Sequence, residues 1–550
     1  MRKFSSYGPI DTDLHYYAPR TELIKKVTTQ LTGNNLDKGE HYITIWAPRQ
    51  TGKTWIMQQV VRNIYNRGDF DVAIMTIESA KTATTDEALL SEFISKLTTH
   101  FRRDFLSASD WRSFPKVMLK KMFKFDFKPS LTWESFTEIF SKKFFDKPVI
   151  LIIDEFDALD EKYINKFVSK FRDMYISRQN ENQLESHKKS CLLHGLALIG
   201  VRSVLGIENV KGSPFNVQRS IHIPDLTYDE VNHIYKCYEE ESKQKIDQAV
   251  IDQIYYEFQG QPGLTCWFGE LLTDVYNNNT DQPITMSHFE SVLADSCETL
   301  PNNNILNIIS KAKQPPHQEI ILKLFNTDKK YVFKLDNKDI NYLYMNGIIG
   351  IQKEGNVNYI RFASSYVQKR LFNYFSDDFF SETGDLIEPF TKLDHVLTEN
   401  SLHIKNLLRL YEKYLKKNKG WLLKNAPRRK DLKIFEAVYH FNLFMYLHNF
   451  LIRKKGQVWP EFPTGNGKID LIIKYANQIY GIELKTYSDE FSYKEAIRQA
   501  ADYAMQLKLS TISLVFFVES IDDDNRTKLE KVHPDKTISV ETIFIESGNT

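Results

Sequence analysis

The sequence predicts an α/β protein built in series: a parallel sheet covered by helices on both faces, a helical cap, a small helix–hairpin–helix module and a C-terminal α/β domain. Three observations carry this. Continuous apolar runs alternate with helical periodicity through the first third of the chain, a Gly-Lys-Thr loop follows the first run, and the last 125 or so residues read helix, strand, strand, strand, helix, strand.

The strand candidates are YITIWA (42–47), VAIMTI (72–77), VILIID (149–154) and LALIGV (196–201), with SIHIPDL (220–226) as a fifth. Uninterrupted apolar runs, rather than alternating ones, are what a strand covered on both faces requires. Between about 228 and 300 apolar residues recur at helical spacing, punctuated by Gly260, Pro262 and Gly263, which reads as a helical lid. From 301 to 375 short helices lead into a strand (348–352), a Gly355-Asn356 turn, a second strand (359–362) and a helix, an order that suits a winged-helix module. The acidic stretch 376–388 breaks the periodicity and is the expected linker. The resulting boundaries are 15–227, 228–300, 301–375, 376–425 and 426–550.

The loop APRQTGKT comprises Ala47, Pro48, Arg49, Gln50, Thr51, Gly52, Lys53 and Thr54, between a predicted strand and a predicted helix. That context is what phosphate binding needs: Gly52 permits close backbone approach, amides at the helix N-terminus face the phosphates, Lys53 neutralises their charge and the Thr54 hydroxyl reaches Mg²⁺. Ala47 stands where the usual pattern has its first glycine. VILIIDEFDAL then places Asp154 and Glu155 at the C-terminal end of a buried strand, where an open α/β sheet holds its ligand. Asp154 suits the Mg²⁺ shell and Glu155 the polarisation of an attacking water. Arg202 and Ser203 end a further strand, where Arg202 either senses the γ-phosphate or is a surface arginine.

APRQTGKT, IIDEFDAL, GVRS, GSPFNVQRSIHIPDLTYDEV and the GQPGL turn together resemble the prokaryotic AAA-like P-loop ATPases close to the STAND class, over about residues 15–300. The resemblance implies ATP and Mg²⁺ as cofactors, with Lys53, Thr54, Asp154 and Glu155 matching the family's nucleotide and metal residues. It also implies nucleotide-dependent switching, often with oligomerisation.

A second constellation lies in GKIDLIIKYANQIYGIELKTY. Residues i and i+2 of a strand share a face, so Glu483 and Lys485 project together, and a hairpin through 475–478 brings Asp470 beside them. Two carboxylates with the Leu484 carbonyl suit Mg²⁺ or Mn²⁺, and Lys485 is placed to orient water or stabilise charge on a phosphoryl group. Glu436, on the preceding helix, is a further candidate acid, and Gln499 and Tyr503 share a face of the following helix at i,i+4 spacing. This set resembles the PD-(D/E)xK nuclease superfamily and the QxxxY helix of its RecB-like branch, over about residues 430–520. By that resemblance Asp470 and Glu483 are metal ligands, Lys485 the catalytic lysine, Glu436 the helical acid, and Gln499 with Tyr503 the helix bordering the scissile bond. Ile469 stands where the motif name has Pro.

The 72 basic and 71 acidic residues leave a net charge of +1, so any affinity for nucleic acid must come from local clusters. Two candidates, 416–433 and 452–456, bracket the helix that carries Glu436, and read either as phosphate contacts or as a solvated charged face. A third, 116–128, has no evident assignment. Cys191, Cys237, Cys266 and Cys297 never form the close pairs of a zinc site and read as reduced core thiols. With no apolar run near 20 residues and no signal-like start, a soluble cytoplasmic protein is expected. The functional expectation is an ATP-hydrolysing, nucleotide-gated nuclease acting on DNA, a combination that by resemblance suits prokaryotic defence against phage or mobile DNA. The alternatives are a switch whose nuclease-like domain only docks, and a mobile-element ATPase that processes DNA ends.

Overall fold

The computed structural model describes residues 1–37, 41–106, 132–200, 220–325, 330–461, 470–487, 489–535 and 537–548. The chain divides into two compact units, Met1–Tyr255 with Gly260–Phe289, and Tyr256–Gln259 with Glu290–Thr550.

In the first unit β1 (His41–Trp46), β2 (Asp71–Thr76), β3 (Val149–Asp154), β4 (Leu193–Gly200) and β5 (Ser220–His222) form a parallel sheet in the order β2-β3-β4-β1-β5. The apolar runs are continuous because both faces are buried. Val149, Leu151 and Ile153 of β3 enter one core, with helices Asp86–Leu106 and Glu161–Asn180, while Ile150 and Ile152 enter the other, with helices Thr21–Thr32 and Lys53–Arg67. Burial of these five side chains contributes on the order of 10 kcal/mol before the entropy of ordering them is subtracted.

β4 begins three residues earlier than the apolar pattern suggests, because Gly195 lets the end of helix Thr21–Thr32 approach: a Cβ there would lie 2.8 Å from the Leu31 carbonyl oxygen. The fifth run pairs only over Ser220–His222. Beyond it Thr227 and Glu230 form a reciprocal capping box that starts helix Tyr228–Ser242. Helices Gln248–Phe258, Pro262–Glu270 and Met286–Glu298 follow. The N-terminal residues, unassigned by pattern, are fastened to this helical region: Phe4 is buried against Tyr16, Tyr235 and Tyr238, and Arg2 donates to Glu241.

The second unit contains helices Asn303–Ala312, His317–Leu324 and Lys338–Met345, the antiparallel hairpin β6 (Ile349–Glu354) and β7 (Val357–Phe362), and helix Ser365–Phe380. This helix overruns the expected start of the linker at 376 because Phe375 and Phe380 are buried, which holds the acidic segment in register until its apolar face ends. Helix Ile404–Leu422 precedes the last group of elements.

That group is helix Glu436–Ile452, β8 (Gln457–Glu461), β9 (Asp470–Tyr475), β10 (Gln478–Thr486), helix Glu490–Gln506 and β11 (Thr511–Val518). It is extended by helix Asp523–Leu529, β12 (Val532–Asp535) and β13 (Ile538–Glu546). The sheet order is β12-β13-β11-β10-β9-β8, with β10, β11 and β13 mutually parallel in sequence and the remaining pairs antiparallel. Ala476 and Asn477, at φ 48° and 62°, make the tight turn between β9 and β10. All four cysteines are free thiols. No helix among the described residues is long and apolar enough to cross a membrane.

Candidate functional site

The loop after β1 turns through left-handed backbone at Gln50 (φ 58°) and Gly52 (φ 80°) into helix Lys53–Arg67. Gly52 has open space where a Cβ would sit, so its requirement is the dihedral angle and not the room. The Thr51 hydroxyl donates to the Pro48 carbonyl at 3.0 Å. Lys53 Nζ donates to the carbonyls of Ala47 (2.8 Å) and Pro48 (2.6 Å). Burial pulls its pKa down to about 8, against the opposing pull of Asp154 and Asp157. The lysine is therefore a half-buried cation whose desolvation the nearby carboxylates offset only in part, so an anion beside it would favour its charged form.

β3 delivers the acids. Thr54 Oγ1 donates to Asp154 Oδ2 at 2.9 Å, and the other carboxylate oxygen of Asp154 accepts from the Glu155 amide at 2.9 Å. Glu155 itself is left-handed at φ 57°, a conformation that costs a non-glycine residue about 1–3 kcal/mol and is kept where the surroundings over-determine it. Its Oε2 accepts a 2.6 Å bond from the Thr76 hydroxyl, at the end of β2, whose backbone pairs with Asp154. Thr76 is invisible to motif reading; only the parallel register of β2 and β3 brings it here. Arg202 and Ser203 lie outside the described residues.

The juxtaposed Thr54 hydroxyl and Asp154 carboxylate are the hard oxygen donors that Mg²⁺ takes, beside a lysine that needs a counter-charge; the residues present fit a magnesium nucleotide. A phosphate-type loop at the C-terminal edge of a parallel α/β sheet, with an acid pair one strand removed, is the arrangement of a P-loop ATPase domain. Residues 6–273 match the family model of the AAA-like domain. Comparison with curated proteins finds no match. Among solved structures, a Walker-type ATPase of Pyrococcus abyssi is 13% identical over 67% of this chain and 99% of its own, with a TM-score of 0.44. The Aeropyrum pernix Orc1 protein in complex with DNA is 14% identical over 64% and 92%, with a TM-score of 0.31. The Thermotoga maritima RuvB Holliday junction branch migration motor is 12% identical over 64% and 94%, also with a TM-score of 0.31.

In the second unit the antiparallel register sets Asp470 of β9 opposite Glu483 of β10, and Glu461 of β8 opposite Asp470, so three acidic positions run in line across adjacent strands. Glu483 and Lys485 are 2% and 5% exposed, and Lys485 Nζ stands 3.4 Å from both Glu483 Oε1 and Gln499 Oε1. Gln499 thus meets the lysine from the neighbouring helix. Tyr503 goes elsewhere, into the core between that helix and the sheet with Ala500, Ile512 and Leu514. Glu436 is the first residue of its helix, and its Oε1 lies 3.9 Å from Nε2 of His440 one turn on.

His440 was missed by pattern because it sits within an apolar helix face; the signal was its i+4 spacing from Glu436. It is fully buried, and burial, reinforced by the charge of Lys485, lowers its pKa to about 3. It is a neutral imidazole at ordinary pH.

Among the described residues no three His, Cys, Asp or Glu side chains group closely enough to hold a metal ion. Of the expected set Glu436, Asp470 and Glu483, the Asp470 side chain lies outside the described residues, and its backbone alone is described.

The basic cluster 416–433 carries several ion pairs. Lys416 pairs with Glu412 and Glu546, Lys417 with Glu388, Arg429 with Asp431 and Lys433 with Glu519, so much of 416–433 is engaged by neighbouring acids. Residues 116–128 lie outside the described residues.

Proposed function

We propose that the chain is a nucleotide-gated, metal-dependent nuclease acting on DNA, in which ATP binding and hydrolysis at the N-terminal site control phosphodiester cleavage at the C-terminal one, a combination suited to defence against phage or mobile DNA. The observation that carries the nuclease half is the alignment of Asp470 with Glu483 across β9 and β10, with Lys485 Nζ 3.4 Å from Glu483 and from Gln499. The succession helix, three antiparallel strands, helix, parallel strand supports it, and three helices with the β6–β7 hairpin support a winged-helix module at residues 301–375 of the chain. The boundaries 15–227, 228–300, 301–375, 376–425 and 426–550 belong to the same reading.

At the first site Lys53 would neutralise phosphate charge, Thr54 and Asp154 would hold Mg²⁺, Arg202 would sense the γ-phosphate, and Glu155 would accept the proton of the attacking water. At the second, Asp470 and Glu483, with Glu436, would hold Mg²⁺ or Mn²⁺, which supplies Lewis acidity at the scissile phosphate. Lys485 stabilises the charge that grows on the phosphoryl oxygens, and the Gln499 carbonyl oxygen holds the lysine in place.

A second reading, in which the C-terminal unit binds nucleic acid or a partner without cutting, is favoured by the deep burial of Glu483 and Lys485. The deciding experiment incubates linear and circular DNA, and RNA, with protein and Mg²⁺ or Mn²⁺, with ATP, a non-hydrolysable analogue or no nucleotide. Cleavage by wild type that Lys485→Ala lowers by a factor of about 10² or more supports the nuclease. Equal cleavage by the two proteins removes the site assignment, and no cleavage under any condition favours the binding module. Activity with the analogue indicates gating, and a strict need for hydrolysis indicates a motor.

A further inference from the structure

The lid is hydrogen-bonded to the phosphate loop through one side chain. Gln261 caps helix Pro262–Glu270: its Oε1 accepts from the Leu264 amide at 2.5 Å. Its Nε2 faces the other way, donating to the carbonyls of Arg49 (3.0 Å) and Gln50 (3.3 Å). The first turn of the helix adds a backbone bond, Gly263 N to the Gln50 carbonyl at 3.0 Å. The approach is so close that a Cβ on Gly263 would lie 2.6 Å from Gln50 Cβ and Oε1.

Gln50 is the residue whose backbone must be held against its preference, at φ 58°. A loop cradles phosphate when successive amides turn inward and their carbonyls outward, an arrangement built from alternating right- and left-handed residues. The carbonyls of Arg49 and Gln50 are the outward ones, and the lid supplies their donors.

We infer that Gln261 is a positioning residue that locks the phosphate loop into its binding conformation and thereby couples lid docking to nucleotide occupancy. This rests on the reading of the loop as a nucleotide site. Because the coupling is reciprocal, bound nucleotide must in turn strengthen lid docking.

The test separates the two ends of one side chain. Gln261→Glu keeps an acceptor for the Leu264 amide, and a carboxylate is welcome at a helix N-terminus, but it removes the donor and sets negative charge against two carbonyls. Binding of a fluorescent ATP analogue, steady-state ATPase kinetics, thermal melting, and hydrogen exchange at residues 261–270 are measured for wild type and variant. The expected result is a roughly tenfold loss of affinity, expressed in KM more than in kcat, with the nucleotide-free melting temperature retained. Protection of residues 261–270 by nucleotide should appear in wild type and fade in the variant. Gly263→Ala, which pushes the helix off Gln50 while leaving Gln261 intact, should weaken binding in the same direction and serves if Gln261→Glu melts early. Wild-type affinity in both variants overturns the inference. If wild type itself binds no nucleotide, it is the nucleotide-site reading that fails, and the latch with it.

Discussion

Thr76 holds Glu155: the threonine hydroxyl donates to Glu155 Oε2 at 2.6 Å from the end of the adjacent strand, while the Glu155 backbone is left-handed and its N–H donates to Asp154 Oδ1. In this state one oxygen of the carboxylate that would accept a water proton is occupied by a neighbour. Thr76→Val, which is nearly isosteric and lacks the donor, should raise basal ATP hydrolysis several-fold and leave nucleotide affinity unchanged. Glu155→Gln should lower hydrolysis by roughly 10²–10⁴. Both are read by phosphate release at saturating ATP, and a Thr76→Val enzyme slower than wild type would show that the hydroxyl assists rather than restrains.

Lys53 should make nucleotide binding pH-dependent. Its pKa is about 8 in the nucleotide-free site, pulled down by burial from an ordinary 10.5, and phosphate oxygens beside it favour the charged form. Binding therefore takes up a proton once the free lysine starts to deprotonate, and affinity should fall as pH rises through 8, approaching tenfold per pH unit. Calorimetric titration between pH 7 and 9.5 measures this. A flat profile sinks the assignment of Lys53 as the phosphate-facing cation.

His440 should destabilise the fold in acid. Its folded pKa, about 3, lies below the ordinary 6.5, so between those values the unfolded chain binds the extra proton and stability falls as pH drops below 6.5. Thermal melts from pH 7.5 to 5 should show a shallower decline for His440→Asn than for wild type. If the two slopes coincide, the imidazole is not the buried neutral group described.

Gly260 should tolerate no side chain. It sits at φ 72°, and a Cβ would lie 1.9 Å from the Leu226 carbonyl oxygen, a backbone atom held in place by the Leu226 N–H to Gly260 carbonyl bond at 2.8 Å. Gly260→Ala should cost about 2 kcal/mol or more, seen as a lower midpoint in urea. The effect separates this glycine from Gly52, where the space is open and only the dihedral angle opposes substitution.

The strands and the phosphate loop were legible because local sequence specifies them: a six-residue apolar run such as VILIID has no amphipathic solution, and Gly-Lys-Thr after such a run has few structural uses. The pairing of Thr54 with Asp154 followed from the phosphate loop and Asp154 both lying at the C-terminal ends of parallel strands. Thr76 and Gln261 were not legible, since each works through a backbone or carboxylate brought near by sheet register or lid docking. Tyr503 shows the converse: helical spacing placed it beside Gln499, but the depth of the helix on the sheet sends the tyrosine into the core.

The sequence by itself determined which residues can form the parallel sheet, where the phosphate loop lies, and that Asp470 falls opposite Glu483 in the sheet, because strand periodicity and a two-residue turn at Ala476-Asn477 leave one register. Only the tertiary structure decided what each charge faces. It desolvated Lys53 against only partial compensation by neighbouring carboxylates, engaged Lys416, Lys417 and Lys433 with acids distant in sequence, and seated His440 between Glu436 and the field of Lys485. Periodicity assigns a residue to a face, whereas the energy of a charge depends on burial and on neighbours that the chain brings together only when it folds.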